Sequence, residues 1–152
     1  IMTIETRLFE ENDINRIDEL LGLYKDLGYP TTKESLISRL KKIYNHTDYY
    51  LLLLIKNNVI IGLSGMCKML FYEKDGEYMR LLAFVINSNY REEGYGTLLL
   101  KESEILATQL GCKAITLNSG NREERDNAHS FYKNNGFENK SSGFSKSIDN
   151  IK

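Results

Sequence analysis

The sequence predicts a mixed α/β domain with a mostly antiparallel central sheet of six to seven strands, flanked by about four helices. Three observations predict it. Strand-length apolar runs at 49–56, 59–70 and 77–86 are separated only by short turn signals, so they must be antiparallel neighbours. The middle run is apolar on both faces over much of its length, which requires helices on both sides of the sheet. A further run at 113–118 follows a leucine-rich helix, and a strand reached through a helix runs parallel to the strand before it.

The elements follow in order. Residues 3–9, "TIETRLF", alternate as a first strand. Asp13 is placed to cap a helix with Ile14, Ile17, Leu20, Leu21, Tyr24 and Leu27 on one face, stopped by Gly28. Pro30 keeps the chain extended before a second helix, for which Thr31 and Glu34 have capping-box spacing and Leu36, Leu40, Ile43 and Tyr44 form the apolar stripe. Asn57-Asn58 turns the chain between 49–56 and 59–70, and Asp75-Gly76 makes a second tight turn into 77–86. The stretch "YREEGYGTLLLKE" (90–102) then launches a third helix with Leu98, Leu99, Ile105, Leu106 and Leu110 inward, ended by Gly111. After the strand 113–118 come a polar loop (119–126), a short helix (127–135) closed by Gly136, and a tail (137–148) expected to give one or two short strands.

The length of 152 residues suits one domain, read over 2–152. A net charge of −1 gives no electrostatic reason to expect nucleic acid or an anionic membrane as partner. The longest apolar run, "YYLLLLI" (49–55), is far short of the roughly 20 residues a membrane span needs. No secretory signal is read, and Cys67 and Cys112 are too few for a disulfide framework or zinc site, so a reducing, cytoplasmic setting is expected.

The glycine turn carries the functional question, because glycine in a helix's first turn costs up to about 1 kcal/mol relative to alanine. A helix start presents unpaired N–H groups and about half a positive charge, and glycines there let a phosphate approach the backbone. The dinucleotide fingerprint fails: Gly94 and Gly96 fit, but Leu99 holds the third glycine position, and no acidic residue follows about 20 residues on. The Walker motif fails as well, since no Gly-Lys-Ser/Thr follows. What remains is Arg-x-x-Gly-x-Gly, as Arg91, Gly94 and Gly96.

A second constellation lies downstream. "AHSFYKNNGF" (128–137) places Tyr132 one helical turn after Ala128, with Gly136-Phe137 closing the helix. Together, in this strand order, the two motifs resemble the GNAT superfamily of acyl-CoA-dependent N-acyltransferases, over essentially the whole chain. The resemblance implies that the N–H groups of residues 92 to 97 (Glu92, Gly94, Tyr95, Gly96 and Thr97 among them) wrap the diphosphate of coenzyme A, with Arg91 and Thr97 beside it. It implies that the strand 77–86 splays from 113–118, so that the pantetheine arm pairs along Phe84, Val85 and Ile86. Tyr132 matches the family tyrosine that serves the leaving thiolate, and Ala128 lies on the same helix beside the cofactor. Glu92 and Glu93 fit an anion site if their side chains face solvent.

Two positions depart from the family pattern. The glutamate many relatives carry eleven residues before the motif arginine is Arg80 here, which leaves Glu77 as the nearest acidic candidate for general base. The asparagine expected seven residues before the tyrosine is Arg125, and Asn118 or Asn127 can supply the missing amide. The implied reaction is acetyl transfer from acetyl-CoA to a primary amine of a small molecule, such as an aminoglycoside-like antibiotic, a polyamine or an amino-acid derivative. No metal is implied. A protein amine, or a non-catalytic acyl-CoA sensor, is the alternative. The acceptor pocket is expected from the first two helices, Tyr29 and the "FYEKDGEY" turn (71–78), where Glu73, Asp75 and Glu77 hint at a cationic acceptor. The chain is read as monomer or homodimer.

Overall fold

The computed structural model describes residues 1–118 and 126–149. The chain divides into two compact units, Ile1–Leu117 and Asn118–Lys152. The first holds five strands, β1 (Ile4–Leu8), β2 (Tyr49–Lys56), β3 (Val59–Leu70), β4 (Glu77–Ile86) and β5 (Cys112–Leu117), and three helices, α1 (Ile17–Leu27), α2 (Lys33–Tyr44) and α3 (Tyr95–Gln109). The strands pair in chain order; β1 to β4 are antiparallel and β5 is parallel to β4. The second unit holds α4 (Asp126–Asn134).

Helices cover both sheet faces, as the doubly apolar β3 requires. On one face Leu20 and Leu23 of α1 and Leu36 and Leu40 of α2 pack with Leu51, Leu53, Leu63 and Val85. On the other, α3 buries Leu99, Leu100, Ser103 and Ala107. Ile105, expected inward, is instead 40% exposed, because Ser103 occupies the inward position. Its hydroxyl lies 2.8 Å from both the Ser64 hydroxyl of β3 and the Leu99 carbonyl, and all of this is buried. One hydroxyl proton serves each link if Ser64 donates to Ser103 and Ser103 donates to Leu99. Ser103→Ala strands the Ser64 hydroxyl without its partner. A loss of about 1–3 kcal/mol is expected in urea unfolding, and Ser64→Ala added to it should recover part of that loss.

Asn57 and Asn58 both adopt left-handed φ (48° and 65°), the geometry that lets a two-residue turn follow the strands' twist. The connection 71–76 is longer than the expected Asp75-Gly76 turn, and it closes through Phe71 N–H donating to the Gly76 carbonyl at 3.2 Å. Thr32, one residue after the expected Thr31, caps α2 by accepting from Ser35 N–H at 3.2 Å.

Asp13 caps no α-helix. It lies in a 3-10 segment (Glu11–Arg16) ahead of α1 and accepts two 2.8 Å bonds from the Arg7 guanidinium and a third from Glu10 N–H. Arg16 grips Glu19 in the same forked way, and Glu19 also accepts from Ile60 N–H at 3.0 Å. Arg7 therefore holds the Asp13 carboxyl below its usual range, and Arg16 does the same for Glu19. Because both folded-state pKa values are depressed, this stabilisation is complete above the ordinary carboxylate range and is lost as pH falls through the depressed values. Urea midpoints should hold from pH 7 to about 5 and fall steadily below about 4, with a shallower fall in Asp13→Asn.

Among the described residues the sheet has five strands, not six or seven. The tail 137–149 forms no strand; Ser141-Ser142-Gly143 interrupts its alternation, and Phe144 and Ile148 lie exposed. So few apolar side chains do not offset the entropy of ordering such a segment.

Candidate active site

The β3–β4 ladder slips at one point. Gly65 pairs with Ala83 and Met66 with Leu81, so Leu82 is an extra residue on β4. Such a bulge reverses the in–out alternation beyond it. On the other edge, the parallel ladder to β5 ends at Leu81↔Leu117, whereas β4 runs on along β3 to Ile86, paired with Gly62. Phe84, Val85 and Ile86 all lie in this stretch past the last β5 pair, with Val85 and Ile86 buried.

The chain then leaves the sheet in a controlled way. Asn87 N–H donates to the Ile61 carbonyl at 2.7 Å, and the Asn87 side chain accepts from Asn89 N–H, setting a 3-10 turn over Ser88–Tyr90. Asp26 near the end of α1 accepts from Ser88 N–H at 2.9 Å. Arg91 braces the turn, its guanidinium donating at 3.3 Å to the carbonyls of Ile86 and Asp26. Two of its five N–H donors are thus committed to protein, and among the described residues the rest are available to an anion.

Glu92 and Gly94 adopt left-handed φ, 63° and 85°. Gly94 is the N-cap of α3, and a glycine cap offers no side chain to the helix's first N–H groups. The first helical bond is from Leu98 N–H to the Gly94 carbonyl at 3.1 Å. Among the described residues, no main-chain N–H from residues 92 to 97 donates a hydrogen bond. Glycine at 94 answers to its backbone angle. Gly96 does not, since it sits in the first turn of α3 with no left-handed φ. A glycine here leaves the helix's first turn without a side chain, whatever its backbone angle. Glu92, Glu93 and Thr97 are exposed, and Tyr95 and Gly96 are half-buried.

Sequence reasoning missed one cation here. The Lys56 ammonium lies 5.0 Å from the Tyr95 ring centre and 5.5 Å from that of Tyr90, and Tyr95 beside it raises its pKa. A lysine at a helix N-terminus opposes the dipole, so an anion at this turn would relieve both it and Arg91. The signal was present in the strand order, because the β2–β3 turn must abut the end of β4.

Glu77 is not brought to this turn. It lies at the opposite end of β4, about 30 Å of extended chain from Ile86, and its carboxylate faces Lys68 Nζ at 3.6 Å. Arg80 pairs with Cys67 and Thr116. A cavity of about 630 Å³ opens between the α1–α2 connection and the bulge, lined by Tyr24, Tyr29, Thr31, Arg39, Leu82 and Ala83 among others. Burial pushes the Tyr24 phenol up, with the Arg39 guanidinium 5.7 Å over its ring pulling the other way. The 71–78 stretch does not line this cavity.

Within the second unit, Tyr132 and Ala128 are half-buried on α4. The Gly136-Phe137 pair is a helix stop: Gly136 turns left-handed (φ 89°), its N–H donates to Lys133, and Phe137 N–H donates to the Tyr132 carbonyl at 3.0 Å. The Phe137 ring packs edge-on to Tyr132 at 5.7 Å, with Phe131 at 5.3 Å. This is the six-to-one capping arrangement with its apolar contact, and it clamps the Tyr132 ring between two aromatics. Asn118 follows β5 directly, its amide next to Gly143, where an added Cβ would come within 3.3 Å. Asn127 lies in the first turn of α4. Arg125 falls outside the described residues.

Comparison with known proteins accords with this arrangement. Residues 5–137 match the model of the acetyltransferase (GNAT) family. A crystal structure of a GNAT family acetyltransferase from Staphylococcus aureus is 56% identical, with a TM-score of 0.86 over 95% of this chain and 98% of that one. An aminoglycoside N-acetyltransferase in complex with CoA has the same fold at 14% identity, with a TM-score of 0.82 over 97% of this chain and 95% of that one. Glucosamine 6-phosphate N-acetyltransferase 1 of Dictyostelium discoideum is 32% identical over 94 residues, which span 57% of this chain and 57% of that protein. The chain belongs to the GNAT family of acetyltransferases.

Proposed function

We propose that this protein is an acetyl-CoA-dependent N-acetyltransferase acting on a primary amine of a small molecule by direct attack. The observation that carries this reading is the run of main-chain N–H groups from 92 to 97 that no described group accepts, at a helix start capped by Gly94 and with Gly96 in its first turn. These donors, the helix dipole, Arg91 and Lys56 fit a diphosphate. The named acetyltransferases of similar sequence and fold, one of them solved with CoA, support the same ligand.

The thioester, when bound, supplies an acyl carbon to the acceptor nitrogen. The C–N bond forms, the C–S bond breaks, sulfur leaves as thiolate, and the amine's surplus proton passes to solvent or a carboxylate. The end of β4 past the β5 ladder positions the pantetheine arm, and a main-chain N–H there polarises the carbonyl. Tyr132, held by its two aromatic neighbours, hydrogen-bonds the thiolate. Full proton donation is less favourable, since a phenol's reference pKa lies about 1.5 units above a thiol's, roughly 2 kcal/mol. The setting proposed is cytoplasmic, with both described cysteines free.

Arg80, where many relatives carry a glutamate, favours one second reading, an acyl-CoA sensor without catalysis. Thermal shift and thiol release separate the two. Acetyl-CoA at 100 times its Kd should add about 2.7 kcal/mol of stability in either case. Free thiol released in the presence of an amine panel supports the enzyme, and stabilisation without release supports the sensor.

A further inference from the structure

We propose that the acceptor amine carries an anionic group, a carboxylate or phosphate, and that Arg39 binds it in the cavity beside the β4 bulge. The proposal rests on the acetyltransferase reading above and names its substrate class. At about 630 Å³ the cavity is of small-ligand size. It opens onto Leu82 and Ala83, the part of β4 just past the β5 ladder where the thioester would lie. Among the described residues, Arg39 is its sole charged lining residue.

The guanidinium is held but not neutralised. Arg39 stands over the Tyr24 ring and its Nη2 lies 3.4 Å from Ser35 Oγ, while none of the ion pairs among the described residues includes it. A planar fork that stands over an aromatic ring and lines a cavity suits the two oxygens of a carboxylate or phosphate. The bulge adds a second cation to the same side. Arg80 pairs with Cys67 and Ala83 with Gly65, two residues apart on β3, so both side chains face the side of the sheet where the cavity lies. Without the extra residue Leu82, the odd spacing from 80 to 83 would put them on opposite faces.

The acidic residues that suggested a cationic acceptor lie elsewhere. Glu73 and Asp75 belong to a connection that does not line the cavity, and Glu77 faces Lys68. A polycation would meet Arg39 with no carboxylate among the described lining residues to offset the repulsion.

The test compares matched acceptors on the intact protein with acetyl-CoA: glucosamine 6-phosphate against glucosamine, phenylalanine against phenylalaninamide, and spermidine. The anionic member of at least one pair should be favoured by about 10- to 100-fold in kcat/KM. The pair that shows it identifies phosphate or carboxylate. Arg39→Ala should bring that ratio toward 1, and Arg39→Lys should retain part of it. Because Arg39 is exposed, neither change threatens the fold. Neutral members or spermidine used as well as the anionic ones, or a ratio unchanged in Arg39→Ala, overturns the proposal. If none turns over, calorimetric titration of the same pairs into the CoA-bound protein reads the ratio directly, and equal affinities overturn it. The thermal shift with acetyl-CoA alone is scored separately, and its absence overturns the acetyltransferase reading instead.

Discussion

Gly96→Asp is expected to remove acetyl-CoA binding while leaving the protein at least as stable as before. Gly96 is the second residue of α3 after its cap Gly94. Aspartate has higher helix propensity than glycine, and an acidic side chain in a first turn favours the helix dipole. The melting temperature of the free protein should therefore hold or rise. The same carboxylate would stand against the diphosphate, where a like-charge contact at about 4 Å costs on the order of 4 kcal/mol at an effective dielectric of 20. Affinity measured by calorimetry should fall at least about 100-fold. Opposite signs for stability and binding make the result hard to mistake for misfolding. Undiminished binding would mean that the ligand does not approach this turn.

Tyr132→Phe has the second largest expected effect, and on a different quantity. The substitution removes one oxygen and keeps the ring that packs against Phe131 and Phe137, as well as the main-chain cap from Phe137 N–H. The fold of the second unit should not change. If the hydroxyl stabilises the departing thiolate, kcat falls about 100-fold while the Kd for acetyl-CoA moves little. An unchanged kcat would place the tyrosine among packing residues only. Weakened cofactor binding with kcat preserved would assign it to ground-state contact instead.

Much of the fold was legible because local chemistry and tertiary need agreed. The bounds of β2, β3 and β4 follow from apolar runs cut by Asn57-Asn58 and by the polar stretch 71–76. The ends of α1 and α4 follow from Gly28 and Gly136, each left-handed. Misreadings fall where a side chain's partner is distant in sequence. Asp13 resembles a helix cap until Arg7 of the neighbouring strand is seen to hold it. Ser103 reads as a polar helix position until Ser64 lies across from it.

The site divides along the same line. The glycine turn was legible because the violation of helix propensity lies within a few residues. Arg39 was not, because the bulge at Leu82 opens its cavity, and Lys56 was legible only through the strand order that brings it to Tyr95. One-residue slips of a ladder leave no mark in composition. Glu77 is the nearest carboxylate in sequence, and its contact with Lys68 appears only in the paired sheet.

The proposed grip of main-chain amides at the start of α3 on the cofactor's diphosphate underlies the whole reaction. It is tested most directly by titrating acetyl-CoA into the isotope-labelled protein and following each backbone amide by NMR. The N–H signals of residues 92 to 97 should shift downfield together and saturate with the calorimetric Kd, and they should gain protection from solvent exchange. Saturation of binding with those six amides unmoved would contradict it.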